Sequence, residues 1–165
     1  MSSREGSSVT FRRVPAALRR APIERFALKL QDEVAQGRAF DCLISGDAEL
    51  RRLNRDFRGK DYPADVLSFP AGVRKSGPSA RLGDVAISLP RARAQAREFG
   101  HSMTQEIRVL MLHGVLHLLG MDHETDRGRM ARVEKQWRTR LALPNGLIER
   151  VKIIERVKII ERVQS

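Results

Sequence analysis

The alternation of apolar and polar positions changes period several times along the chain, and each change predicts an element. "SVTFRRV", from Ser8, sets Val9 and Phe11 against Thr10, the period-two pattern of a short strand. In "PIERFALKLQDEVAQG" the apolar residues Ile23, Phe26, Ala27, Leu30 and Val34 fall on one helical face. Pro22 suits the first helical position and Gly37 the stop. "FDCLIS" predicts a second strand, with Cys42 as a packing residue. "DAELRRLNRDFRG" predicts an amphipathic helix with Asp47 as N-cap. Leu50, Leu53 and Phe57 lie on one face of it, and Arg51, Arg55 and Arg58 on another. "DVLSFP" and "LGDVAIS" predict two further strands, joined by the Gly-, Ser- and Pro-rich loop "AGVRKSGPSAR".

Helical periods dominate from there on. "SLPRARAQAREFG" predicts a short helix capped by Ser88 and closed by Gly100. Ser102 and Gln105 then form a capping-box pattern. Behind them Ile107, Leu110, Met111, Val115, Leu118 and Leu119 make the helix apolar on most sides, which predicts a buried central helix ended by Gly120. A last helix is predicted over 125–141, with Met130, Val133, Trp137 and Leu141 inward and "LPNG" as the stop. Beyond it "IERVKI" occurs at Ile148 and Ile154, and "IERVQ" begins at Ile160. A six-residue period makes no single helical stripe, so 146–165 reads as a dispensable tail and 1–145 as one domain.

Three of the four histidines fall within "HGVLHLLGMDHE". Their spacing, H-x-x-x-H-x-x-G-x-x-H, resembles the zinc site of zincin-type metal hydrolases. His113 and His117 project from one helical face a turn apart. Gly120 lets the chain turn back and bring His123 to the same point. Three imidazoles so placed predict one Zn2+ per chain with a fourth position open. Asp122 and Glu124 are candidates to orient a ligand imidazole. His101 reads as a surface or capping residue. Gly114 stands where a metalloprotease carries its glutamate base, which disfavours peptide cleavage. A site lacking that base but rich in cations suits phosphodiesters.

Charge points the same way. The net charge is +11, which draws polyanions to the surface. Aromatic residues are only 5%, so backbone electrostatics rather than base stacking is expected to supply the main grip on nucleic acid. No apolar run is long enough to span a bilayer, and "MSSREGSSVTF" has no apolar signal core. A single cysteine excludes an internal disulfide, and a cytoplasmic location is expected.

These motifs together resemble the YbeY endoribonucleases, bacterial rRNA maturation factors. "HGVLHLLGMDHE" is similar to the signature H-G-x-L-H-L-x-G-x-D-H. "LNRDFRGKDYPADVLSFP" resembles N-x-x-[YF]-R followed by T-D-V-L-S-F-P, and "LGDVAIS" resembles a third signature. Ala64 and Met121 depart from the family's usual residues. The resemblance implies a single-domain α+β fold, a mixed β-sheet packed by helices, with a central zinc-binding helix. It implies zinc-dependent cleavage of single-stranded RNA in 16S rRNA 3′-end maturation, and a role in late assembly and quality control of the ribosomal small subunit. His113, His117 and His123 would hold the metal, Arg58 would be the catalytic cation, and Arg51 and Arg55 would contact RNA. The expected partners are an rRNA precursor and the small subunit, with no membrane and no organic cofactor. Two rival readings are a non-catalytic, zinc-stabilised rRNA-binding assembly factor and a metallopeptidase-like hydrolase with a base other than glutamate.

Overall fold

The computed structural model describes residues 6–72, 80–122 and 127–144. They form a mixed sheet packed by helices. The strands are β1 (Ser8–Phe11), β2 (Phe40–Ser45), β3 (Val66–Pro70) and β4 (Gly83–Ser88). The helices are α1 (Arg20–Glu33), α2 (Asp47–Arg58), α3 (Leu89–Phe99), α4 (Met103–Leu118) and α5 (Arg129–Arg140). The sheet order is β1-β2-β4-β3; β1, β2 and β4 run parallel, and β3 pairs antiparallel with β4 at the edge.

Strand alternation sorts side chains onto two faces. Phe40, Cys42, Ile44, Val85 and Ile87 point to the main core, shared with α1 and α4. Leu67 and Ala86 point the other way and meet Leu50 of α2, with Leu43, Leu53, Ala64 and Phe69 packed around them. The sheet therefore separates α2 from α4. Burial pushes the Cys42 thiol far above its ordinary pKa, as expected of a packing residue.

Local signals are realised with small shifts. β1 stops at Phe11 because Arg13 takes a left-handed φ of 53° and turns the chain away. α1 begins two residues before Pro22, which sits in the first turn, where its missing N–H costs nothing. Gly46 rather than Asp47 caps α2, and Asp47 and Glu49 fill the acidic first turn. Ser88 accepts from the Arg91 amide and Ser102 from the Gln105 amide, so both serine caps form as predicted. The loop and last-helix predictions fall partly outside the described residues, at 73–79 and 125–126, and the repeated tail falls wholly outside them. α5 turns Met130 inward, with Val133 and Trp137 half-buried, but it also buries the charged Glu134 and Arg138.

Candidate metal and catalytic site

α4 lies directly on the β3–β4 pair, and Gly114 makes that approach possible. A Cβ at this position would stand 2.6 Å from Val85 Cγ1 and 3.3 Å from Ser68 Oγ. The Ser68 hydroxyl instead donates to the Gly114 carbonyl at 2.8 Å. The position that carries glutamate in a protease thus faces the sheet and has no room for a side chain.

On either side of that contact, His113 and His117 meet. Their rings lie edge to face, with centroids 4.7 Å apart. Their Nε2 atoms are 3.1 Å apart. His113 Nδ1 donates to Glu134 Oε1 at 2.8 Å, which leaves Nε2 as its ligand atom. The second Glu134 oxygen is 3.4 Å from the buried Arg138 Nη2. Burial alone would lower the His113 pKa, but the charge and hydrogen bond of Glu134, with help from Asp65, outweigh it and raise the pKa above the ordinary value. Asp65 is itself held: its carboxylate accepts from the Val66 amide at 2.7 Å and from Gln95 at 3.1 Å.

This pair fits half of a zinc site. Tetrahedral zinc with bonds of about 2.0–2.1 Å puts its nitrogens roughly 3.3 Å apart. A third ligand is needed, and among the described residues no group of three or more His, Cys, Asp or Glu side chains is placed to hold a metal. His123 and Glu124 lie outside the described residues.

Comparison with known proteins identifies the family. The family model for "Endoribonuclease YbeY" matches residues 15–142. The chain belongs to the YbeY family. It is 73% identical over 152 residues to Endoribonuclease YbeY of Solibacter usitatus, covering 92% of this chain and 99% of that one. It is 52% identical over 108 residues to the Koribacter versatilis protein of the same name, covering 66% of this chain and 68% of that one. The solution structure of TM1509 from Thermotoga maritima aligns with a TM-score of 0.53 and 25% identity, over 78% of this chain and 85% of that one.

The remaining candidates of this YbeY-family chain lie on α2, across the sheet from the histidines. Arg51 forms a two-pronged pair with Asp61 at 2.8 and 3.2 Å, and Arg55 pairs with Asp56 at 3.2 Å. Arg58 is exposed in the last turn, with no ion-pair partner among the described residues. Seven residues later the chain reaches Asp65, whose charge contributes to the raised His113 pKa. Ala64 packs against the small core beneath α2, and Met121 against the main core.

Sequence reasoning missed two acids. Glu134 supports the His113 imidazole; its i, i+4 spacing from Met130 on a core-facing helix was the available signal. His101 is not a surface residue. It is half-buried, stacked on Phe99, and its Nε2 lies 2.6 Å from Oε1 of the fully buried Glu106. None of the described helices is long and apolar enough to cross a membrane.

Proposed function

We propose that this protein is a zinc-dependent endoribonuclease that cuts single-stranded RNA in rRNA processing, including 3′-end maturation of 16S rRNA during late small-subunit assembly. The observation that carries the metal-site reading is the His113–His117 pair, with two Nε2 atoms turned to one point and Glu134 behind His113. Family membership supports RNA as the substrate class. His113, His117 and His123 would hold the ion. Bound Zn2+ supplies positive charge for phosphoryl oxygens and lowers the pKa of water.

The chain's own groups divide the rest of the work. Glu134 fixes the His113 tautomer and ring plane, so the ligand atom needs no reorganisation. Gly114 and Ser68 seat α4 against the sheet and set the height of both imidazoles. Arg58 supplies an exposed guanidinium that can grip phosphate oxygens in two-pronged fashion and offset charge as it develops. Arg51 and Arg55, each held by a neighbouring acid, add backbone contacts.

The test is cleavage of a single-stranded rRNA precursor fragment by zinc-loaded protein. His117→Ala should abolish cleavage and lower zinc content. Arg58→Ala should slow cleavage by roughly ten- to a thousand-fold at saturating RNA, with zinc content unchanged. Cleavage that survives His117→Ala sinks the metal-site reading. If Arg58→Ala loses affinity alone, the charge-stabilising role belongs to another group.

A further inference from the structure

The apolar stripe of α2 is longer than the surface that covers it. Leu50 is fully buried and Leu53 is half-buried, yet Phe57, next on the same face, is 69% exposed. The last turn of α2 overhangs the sheet at its β3 edge. There the Phe57 ring meets the edge-strand residue Phe69 in an edge contact, with centroids 5.4 Å apart and planes at 68°. A singly exposed apolar side chain is ordinary. This one differs in being braced by a second ring, which fixes its plane, while its own face stays open.

Charge defines what such a face suits. Arg58 follows Phe57 directly, and Lys60 lies just past the helix-capping Gly59. Neither cation has an ion-pair partner among the described residues. An open aromatic face beside unpaired cations matches a nucleobase with its phosphate: the ring stacks the base, and the cations hold the backbone.

Position ties this feature to the histidines. Phe69 stands near the C-terminal end of β3, and Asp65 just before its N-terminal end. At about 3.3 Å per residue the two are roughly 13 Å apart, a span of a few nucleotides. The intervening Ser68 holds Gly114 on the opposite face of the same edge strand.

We propose that Phe57, braced by Phe69, is a stacking subsite for one base of single-stranded RNA, flanking the bond cut at the histidine site. The proposal rests on the RNA reading above and deepens it.

The experiment uses full-length protein, a short oligoadenylate and its abasic counterpart with the same sugar–phosphate backbone. Affinities are read by anisotropy at times short against cleavage. Wild type should bind the base-bearing strand more tightly than the abasic one. Phe57→Ala should erase roughly five- to a hundred-fold of that ratio, the loss of one stacked base, while abasic affinity stays unchanged. Phe57→Trp should keep the ratio. Arg58→Ala should weaken both strands alike. If wild type binds RNA and Phe57→Ala keeps the full ratio, the subsite is overturned and the ring is left to a protein partner. If wild type binds neither strand, the RNA reading fails and the subsite falls with it.

Discussion

Glycine 114 answers at one residue a question the sequence raises but does not resolve. A missing glutamate beside the first histidine reads as lost chemistry; in three dimensions it is a packing requirement. Gly114→Ala would place a methyl 2.6 Å from Val85 Cγ1, within a sheet-helix contact that has no slack. The expected cost is about 1–3 kcal/mol of stability, from overpacking. Val85→Ala removes the clashing methyls, so the double variant should recover part of the loss. Urea midpoints of the two single variants and the double variant measure this, and strictly additive losses would show that the contact is not the cause. Glu134 asks for a subtler substitution. Glu134→Ala leaves Arg138 buried without its carboxylate, so misfolding would mask any effect on the metal. Glu134→Gln keeps an oxygen that can accept from His113 Nδ1 but removes the charge. Zinc affinity should fall roughly ten- to a hundred-fold, the usual loss for a group behind a ligand histidine. The Gln variant should also keep the His113 tautomer, readable in imidazole nitrogen shifts. Full zinc affinity in Glu134→Gln would reduce Glu134 to a neutral spacer.

Elements differ in how plainly the sequence displays them. α3 and the start of α4 were legible to the residue, because Ser88, Gly100 and Ser102 cap by chemistry that needs no tertiary partner. β2 was equally plain, since its inward residues alternate strictly. α5 was read only in part, because its buried Glu134 and Arg138 are placed by a partner, His113, that lies far off in sequence. His101 and Glu106 escaped for a different reason: two polar residues five apart look like solvated side chains until the helix start is packed. In the site itself the pairing of His113 with His117 was legible in their i, i+4 spacing, whereas the contact of Phe57 with Phe69 at the β3 edge was not, because no periodicity encodes it. One element contact gives a pH-dependent test. Glu49 accepts from the Ser45 hydroxyl at 2.8 Å and pairs with Arg12 and Arg52, tying α2 to β1 and β2. The Ser45 hydrogen bond first, then the two arginines, hold its pKa below the ordinary 4.5, against burial. A depressed carboxylate stabilises the fold above its unfolded pKa, and that contribution disappears as pH falls through the folded value. Glu49→Gln should therefore lower stability at neutral pH and flatten its decline on the acid side. Urea midpoints followed from about pH 6 to about pH 2 read this directly. An unchanged acid limb would mean that other carboxylates carry it.

At the scale of the whole molecule, charge and the repeated tail make one problem. The net charge of +11 suits a protein that must hold a polyanion without many aromatic contacts. The segment after Asn145 carries five of the 31 basic residues and three of the 20 acids, so its removal leaves a net charge of +9. The family model ends at residue 142, short of the repeats, while the 152-residue match to the Solibacter usitatus protein runs past it. Among the described residues, Leu141 and Leu143 are buried against the core, and the Leu143 amide donates to the Arg138 carbonyl at 2.8 Å. A chain ending at Asn145 keeps every one of these contacts. It should therefore melt at the same temperature and cleave RNA at the same rate. The one expected change is electrostatic. With two fewer net charges, RNA affinity should fall slightly at low salt, and the difference should vanish as salt rises, because screening removes long-range attraction first. Paired melting curves and salt titrations of the full and shortened chains decide the matter. A drop in melting temperature would assign the repeats to the fold, and a loss of affinity that persists at high salt would assign them a direct contact with RNA.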